Sequence, residues 1–399
     1  MQIGIVLPSA PAYSETFFLN KIKGLEEHGF SVVIFANSIN KNAPKDLNIS
    51  VAPKLKGHIV KLGIRSIYTI CLSFLFHYKN SKRLYNFDKN EGVNLLQRLK
   101  NIVSSHHILK SEVDWLHFGF GTMVFHKENV AKAIGAKMAV SFRGFDIGVY
   151  PLKKPNCYLK LWKKVNRIHV ISDDIKDLVY KNGYEGESEI IKITPAIDVS
   201  FFNYEEEFNF SNENRFTTVA RLHWKKGIEY TLNALSILKN KGVPFHYTII
   251  GEGIDRERLE FAVHQLDLKN HVSFKGKVKH EQVKDELKKG DIYIQYSIQE
   301  GFCNAVLEAQ ALGLLCIVSD AEGLPENVND GKTGWVVHRC NAKALADQIE
   351  TVINLSYETK AMISKNARLR VLNNFGLDQQ YKKFIEFYKP SKIRLTQAN

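Results

Sequence analysis

The sequence predicts an α/β protein of two domains, each built on a parallel sheet, and three observations carry that reading. Residues 290–319 read as strand, loop, helix and strand: 291–296 (DIYIQY) is a short apolar run, 304–312 (NAVLEAQAL) is rich in helix formers, and 314–319 (LLCIVS) is a second apolar run. A βαβ unit of that kind implies parallel pairing. The chain has 399 residues, enough for two domains of ordinary size. Between them, 199–214 (VSFFNYEEEFNFSNEN) is acidic, Asn-rich and aperiodic, the composition of a linker.

Hydrophobic residues make up 44% and charged residues 24%, as in ordinary globular proteins. No run approaches the roughly 20 apolar residues that cross a bilayer. The start, MQIGIVLPSA, lacks a basic leader and reads as a first buried strand rather than a signal peptide. Cysteines 71, 157, 303, 316 and 340 are scattered, with no Cys-x-x-Cys pair. That pattern argues for a reducing compartment and against zinc or a disulfide framework. The net charge of +13 favours acidic partners: nucleic acid, anionic lipid or phosphorylated substrates. No helix-turn-helix, RNP or zinc-finger spacing occurs, so nucleic acid is not expected.

Taken in order, 3–7 (IGIVL) is a strand and 8–13 a loop. Ser14 is placed to cap a helix running to about Glu27, and 31–36 (SVVIFA) is the next strand. Residues 52–110 hold eleven Lys or Arg against two acids, Asp88 and Glu91, around an apolar patch at 67–76. On a helix, Ile67, Ile70, Cys71, Phe74, Leu75 and Tyr78 share one face, and Ser66, Thr69, Ser73 and His77 another. One reading packs this helix on the first domain with a solvated basic rim. The other rests a basic, aromatic surface on anionic membrane.

Strands are predicted at 113–118 (VDWLHF), 138–142 (MAVSF), 167–172 (RIHVIS) and 191–194. His117, near a strand end, reads as structural. Ser172 or Asp173 caps a helix to Tyr180. The second domain opens with strand 216–220 (FTTVA), the loop Arg221-Leu222-His223-Trp224-Lys225-Lys226-Gly227 and a helix to Leu238. Strand 246–250 ends in Gly251-Glu252-Gly253, the segment 272–278 (VSFKGKV) follows, and beyond 334–337 the chain is mostly helical.

Ligands of such sheets sit at the carboxyl ends of the strands, which selects the loop carrying Glu300. Glu300 and Glu308, flanked by Phe302, Val306 and Leu307, are costly to bury without partners. Sugar or ribose hydroxyls are suitable partners, because one carboxylate accepts from two neighbouring hydroxyls. The helix start after Cys303 offers backbone N–H groups to a phosphate. Arg221 and Lys226, near another helix start, can neutralise a pyrophosphate without metal. Each of these residues taken alone is ordinary surface charge.

Together they carry a resemblance. EGFCNAVLEAQALG followed by VSDAEGLPENV resembles the signature of family 4 glycosyltransferases, retaining enzymes with the GT-B fold of two Rossmann-like domains. The family often has glycine or proline where Cys303 stands. Arg-Leu-x-x-x-Lys-Gly matches the family's diphosphate-binding segment. Pro195-Ala196-Ile197-Asp198 resembles the turn that closes the first domain. Arg143-Gly144-Phe145-Asp146 resembles the family's His-Gly-x-Asp at the inter-domain cleft, with arginine in place of histidine. The first loop lacks the frequent Gly-Gly, and Ser14-Glu15-Thr16-Phe17 resembles the exopolysaccharide, colanic-acid-type branch.

The resemblance implies an acceptor-side domain at 1–198, the linker 199–214, a nucleotide-sugar domain at 215–374, and a last helix at 375–399 returning to the first domain. Arg221 and Lys226 would stabilise the leaving diphosphate of a UDP- or GDP-sugar, helped by Gly301, Phe302, Cys303 and Asn304. Glu300 would hold donor sugar hydroxyls and Glu308 the ribose, while the segment ending at Val278 faces the base. Arg143 would meet a phosphate or carboxylate on donor or acceptor, or only shape its loop with Asp146. No cofactor and no metal are expected, in keeping with the absence of Asp-x-Asp. The acceptor would be a glycan or a lipid-linked glycan, and the place cytoplasmic, peripheral on the inner membrane face. The alternatives are a nucleotide-sugar epimerase or phosphorylase on the same fold, or a non-catalytic basic module that binds membrane or nucleic acid.

Overall fold

The computed structural model describes residues 1–11, 16–54, 57–203, 210 and 213–389. The chain divides into two units, one of Met1–Ile171, Ile175–Ile193 and the described residues from Tyr381, the other of Ser172–Asp174 and Thr194–Gln380. The Ser14 cap and half of the Ser14–Phe17 motif, Ser14 and Glu15, lie outside the described residues, as does much of 204–212.

The first unit is a parallel sheet of β1 (Gln2–Leu7), β2 (Ser31–Ala36), β3 (Ile49–Val51), β4 (Trp115–Phe118), β5 (Lys137–Phe142), β6 (Arg167–Val170) and β7 (Glu189–Lys192). Its order is β3-β2-β1-β4-β5-β6-β7, so the direction of winding reverses between β1 and β4. Ile3 lies opposite both Val32 and Trp115, which sets the register at the centre. Ile3, Ile5, Ile34, Leu116, Val140 and Ile168 are all buried, as expected of strands covered on both faces. Helix α1 (Thr16–Glu27) adds Phe18, Ile22 and Leu25 to this core. So does the last helix, Leu377–Tyr388, through Phe384, Phe387 and Tyr388. The Trp115 Nε1–H donates to the Tyr388 carbonyl at 3.0 Å. The strand expected at 191–194 starts two residues earlier, because Glu189 pairs with Arg167.

The basic segment forms three helices: α2 (Ile59–Phe76), α3 (Tyr78–Asn90) and α4 (Leu95–Leu109). Helix α4 buries Ile102, Val103, Ile108 and Leu109. Helix α2 is built the other way round. Its buried residues are Thr69 and Ser73, whereas Val60, Ile64, Ile67, Tyr68, Leu75 and Phe76 are exposed. The Ser66, Thr69 and Ser73 hydroxyls each donate 2.8 Å back to the carbonyl four residues earlier. Satisfied in this way, a small polar face can pack close. Ser73 Oγ also meets His106 Nδ1 of α4 at 2.8 Å. The polar stripe turns inward and the apolar stripe outward, a choice that the two faces read from the sequence left open. The helix also exceeds the apolar length read from the sequence, with 18 residues of mean hydropathy 1.6 and 11% burial.

The second unit is a parallel sheet of β8 (Arg215–Val219), β9 (His246–Ile250), β10 (Val272–Gly276), β11 (Ile292–Gln295), β12 (Leu315–Ser319) and β13 (Trp335–Val337). Its order is β10-β9-β8-β11-β12-β13, reversing between β8 and β11. Ile292, Ile294, Leu315 and Ile317 pack with Leu232 and Leu235 in its core. Strand β10 stops short of Val278 because an irregularity between Phe274 and Gly276, with Gly276 at φ +70°, turns the chain away.

Candidate functional site

In an open parallel sheet the ligand crevice lies at the carboxyl ends of the strands where the winding reverses. In the second unit that place is between β8 and β11. The loop after β8 carries Arg221 to Gly227, and the loop after β11 carries Ser297 to Gly301. Gly227 lets these loops touch: its φ is +62°, and a Cβ there would lie 1.9 Å from the Tyr296 carbonyl oxygen. The Ile298 N–H donates 2.7 Å to the Lys225 carbonyl and closes the contact.

This apposition brings Lys226 and Glu300 into an ion pair between Nζ and Oε2. Each side chain is 15% exposed, so the pair is largely shielded yet open on one side. Burial alone would lower the pKa of Lys226; the Glu300 carboxylate more than offsets it, so the ammonium is held charged. Beneath the pair runs a buried polar chain. Ser297 Oγ donates to Glu300 at 3.3 Å and accepts from Gln295 Nε2 at 2.8 Å, and Gln295 Oε1 accepts from the Tyr293 hydroxyl at 2.9 Å. These supports were missed in the sequence, where 291–296 reads as an apolar strand. The signal was present as polar groups at every second residue, Tyr293, Gln295 and Ser297, which share one face.

Arg221 is exposed just past β8, and its positive charge acts on Lys226. It has no ion-pair partner among the described residues. Gly301, Phe302 and Cys303 are buried, and Asn304 begins the helix Asn304–Ala311. Asn327 fixes this turn from both sides, accepting the Cys303 N–H at 3.1 Å and donating to the Cys303 carbonyl at 2.8 Å. Burial pushes the Cys303 thiol up to about 12, so it stays protonated at neutral pH and is no nucleophile.

Glu308 lies in the helix Asn304–Ala311, apart from Glu300 in the preceding loop, and faces His280, with Oε1 to Nε2 at 3.7 Å. The Glu308 carboxylate, by favouring the charged ring, raises the pKa of His280. The Phe201 ring stacks on His280, 5.1 Å between centroids and 9° between planes. His280 was not singled out from the sequence, where nothing local marks it. Val278, half-buried, precedes it by two residues in the loop after β10.

Arg143 belongs to the first unit, in the loop after β5. Asp146 shapes that loop, but through the backbone: its carboxylate accepts the N–H groups of Arg143 at 3.0 Å, Gly144 at 3.1 Å and Gly121 at 2.9 Å. The guanidinium instead lies over the rings of Phe17, 3.6 Å away, and Phe18, 4.5 Å away. Burial among those rings brings its pKa down to about 9. His117 is buried in β4 between Tyr388 and Ser141, at 2.5 and 2.7 Å. Among the described residues no three His, Cys, Asp or Glu side chains are grouped to hold a metal ion.

A cation–carboxylate pair at the winding reversal, a helix start beside it and a second carboxylate farther along that helix make a site for a polar, anionic, hydroxyl-rich ligand. Residues 201–370 match the family Glycosyl transferases group 1, and the two parallel-sheet units have the GT-B fold of solved glycosyltransferase structures. Over nearly its whole length the chain is similar to named glycosyltransferases. It is 28% identical to WcaL of Escherichia coli (strain K12), named as a colanic acid biosynthesis glycosyltransferase, covering 94% of this chain and 96% of that protein. It is 26% identical to the amylovoran biosynthesis glycosyltransferase AmsK of Erwinia amylovora, covering 84% and 86%. Among solved structures, Anabaena HepE in complex with UDP-glucose shares the fold, with a TM-score of 0.69 at 14% identity over 97% of this chain and 100% of that one.

Proposed function

We propose that this glycosyltransferase moves a hexosyl group from a nucleoside diphosphate sugar to an acceptor hydroxyl, with retention, in exopolysaccharide assembly. The observation that carries the reading is the Lys226–Glu300 pair joining the loops after β8 and β11. On donor binding the pair exchanges partners. Lys226, joined by Arg221, turns to the diphosphate, and Glu300 is released to accept the hydroxyls of the donor sugar. As the bond from the anomeric carbon to the phosphate oxygen breaks, negative charge grows on the diphosphate. Two cations and the helix start at Phe302–Asn304 meet that charge where it develops. The acceptor oxygen bonds to the anomeric carbon, and its proton passes to the departing phosphate oxygen. Glu308 holds the ribose hydroxyls, with His280 keeping its carboxylate oriented. Two cations do the work a metal would do, and no cofactor is invoked.

The UDP-glucose complex of HepE supports a nucleotide-sugar donor; the nucleotide proposed is UDP or GDP. The names of WcaL and AmsK support an exopolysaccharide product. The acceptor is a glycan or a lipid-linked glycan, and the protein works at the cytoplasmic face of the membrane. The outward apolar stripe of α2, set among the lysines and arginines of 52–110, supports that placement.

A panel of nucleotide sugars tests the proposal by thermal shift and by hydrolysis, with and without EDTA. The true donor raises the melting temperature through mass action, and is slowly hydrolysed whether or not EDTA is present. Failure of every nucleotide sugar in both assays would refute the donor, and activity abolished by EDTA and restored by magnesium would refute the metal-free chemistry.

A further inference from the structure

Above the carboxyl ends of β1, β2 and β3, in the first unit, lies a cavity of about 840 Å³. Strand-end residues Asn37, Ser38 and Lys54 line it from below, Arg65 reaches in from α2, and Ser104 from α4. No carboxylate lines it, and neither Lys54 nor Arg65 has an ion-pair partner among the described residues. The two acids of the 52–110 segment are engaged elsewhere. Asp88 is buried and accepts from Asn101 and Asn129, each at 2.8 Å, and Glu91 pairs with Lys164 at 2.6 Å. Apolar groups of Pro8, Ile39, Val51, Ala52 and Pro53 complete the lining, so with the Lys54 and Arg65 cations at its mouth the cavity is a setting for an anion whose acceptor oxygens are joined to an apolar body.

Its surroundings narrow the class of anion. Arg65 stands on the helix whose outward stripe is Val60, Ile64, Ile67, Tyr68 and Leu75, so the cationic mouth opens beside exposed aliphatic surface. A free phosphate or soluble sugar phosphate uses the cations and leaves the apolar stripe in water. An amphiphile whose phosphate is joined to a hydrocarbon chain uses both.

We propose that this cavity seats the phosphate or diphosphate head of a membrane-anchored acceptor, gripped by Lys54 and Arg65 while α2 lies in the leaflet. The proposal deepens the function given above by naming the acceptor class, and it rests on that reading.

The test is binding of the full chain to phosphatidylcholine vesicles carrying phosphatidic acid, a phosphomonoester on an anchored chain, at near-physiological salt. Plain phosphatidylcholine vesicles, inorganic phosphate and soluble glycerol phosphate serve as the comparison arms. The wild-type protein binds the phosphatidic acid vesicles. The double variant Lys54→Ala/Arg65→Ala loses about tenfold or more of that affinity, and Ile64→Ser/Ile67→Ser loses most of it as well. Hydrolysis of the nucleotide sugar, which the second unit performs, stays near normal in both. Unchanged vesicle binding by the cation variant would overturn the assignment. So would displacement from vesicles by millimolar glycerol phosphate, which makes the cavity a soluble-ligand site. Self-association without lipid that Ile64→Ser/Ile67→Ser abolishes would assign the stripe to a second copy of the chain. Wild-type protein that binds the vesicles selectively but hydrolyses no nucleotide sugar would sink the donor reading and leave this one standing.

Discussion

Glu300 does two things to Lys226: it holds the ammonium in place and keeps it charged against burial. In Glu300→Gln, burial and the nearby Arg221 remain, and both lower the lysine's pKa. The variant therefore loses its alkaline activity at a lower pH than wild type, besides losing turnover through the missing contact to sugar hydroxyls. Overlaid alkaline limbs of kcat/KM for the two proteins would show that Glu300 does not control Lys226. Glu308 faces a different partner, His280, and its conversion to Gln mainly raises the KM for donor; an unchanged KM would remove it from the nucleotide site. Lys226 and Glu300, 74 residues apart, were both legible in the sequence because each follows a predicted parallel strand. The chain Tyr293–Gln295–Ser297 was not, since its residues sit inside a run whose hydrophobicity dominates the pattern. Arg143 was legible as a departure from the motif, but its seat on Phe17 and Phe18 depends on α1 and β5 meeting, which no local pattern records.

At the scale of elements, the short 3₁₀ turn Trp224–Lys226 and the residue that ends it decide the site's geometry. Gly227→Ala would force an alanine into φ +62° and drive a methyl onto the Tyr296 carbonyl oxygen. The left-handed backbone costs about 1–2 kcal/mol, and relieving the overlap must move the Glu300 loop. The expected result in denaturant unfolding is a loss of at least about 2 kcal/mol together with lost donor binding. A variant with wild-type stability and donor affinity would show that the two loops need not touch. Helix α2 marks the limit of periodicity as a signal. Its two faces were visible in the sequence, and which of them turned inward was not, because a small hydroxyl face can pack when its donors bond back to the helix. Strand β3 escaped for a simpler reason: three half-buried residues at a sheet edge carry no run to recognise.

For the molecule as a whole, both sheets could be read in advance because parallel strands covered on two faces are nearly continuous apolar runs. What composition hid is the set of buried bases in the first unit. His107 is lowered to about 3 by burial, with Lys127, Lys110 and His106 adding to it. His117 and His169 are lowered by burial beside Lys21 and Arg143. Their folded pKa values lie below the unfolded value near 6.5, so the unfolded chain binds more protons in that interval. The stability they allow is complete above about pH 6.5 and falls as the pH drops, by up to about 1.4 kcal/mol per pH unit for each histidine. Urea unfolding followed by tryptophan fluorescence should thus weaken steeply between pH 6.5 and 5, before most carboxylates titrate. A midpoint constant down to pH 4 would show that these histidines are not buried neutral.

In the proposed mechanism the lysine joined to Glu300 carries the charge of the leaving diphosphate. The direct measurement is single-turnover transfer by Lys226→Ala, with saturating donor and melting temperature recorded alongside. The expected rate is lower by about 10²-fold or more, as for loss of one contact made to developing charge, in a protein that still folds and still binds donor. A rate within a few fold of wild type would contradict it.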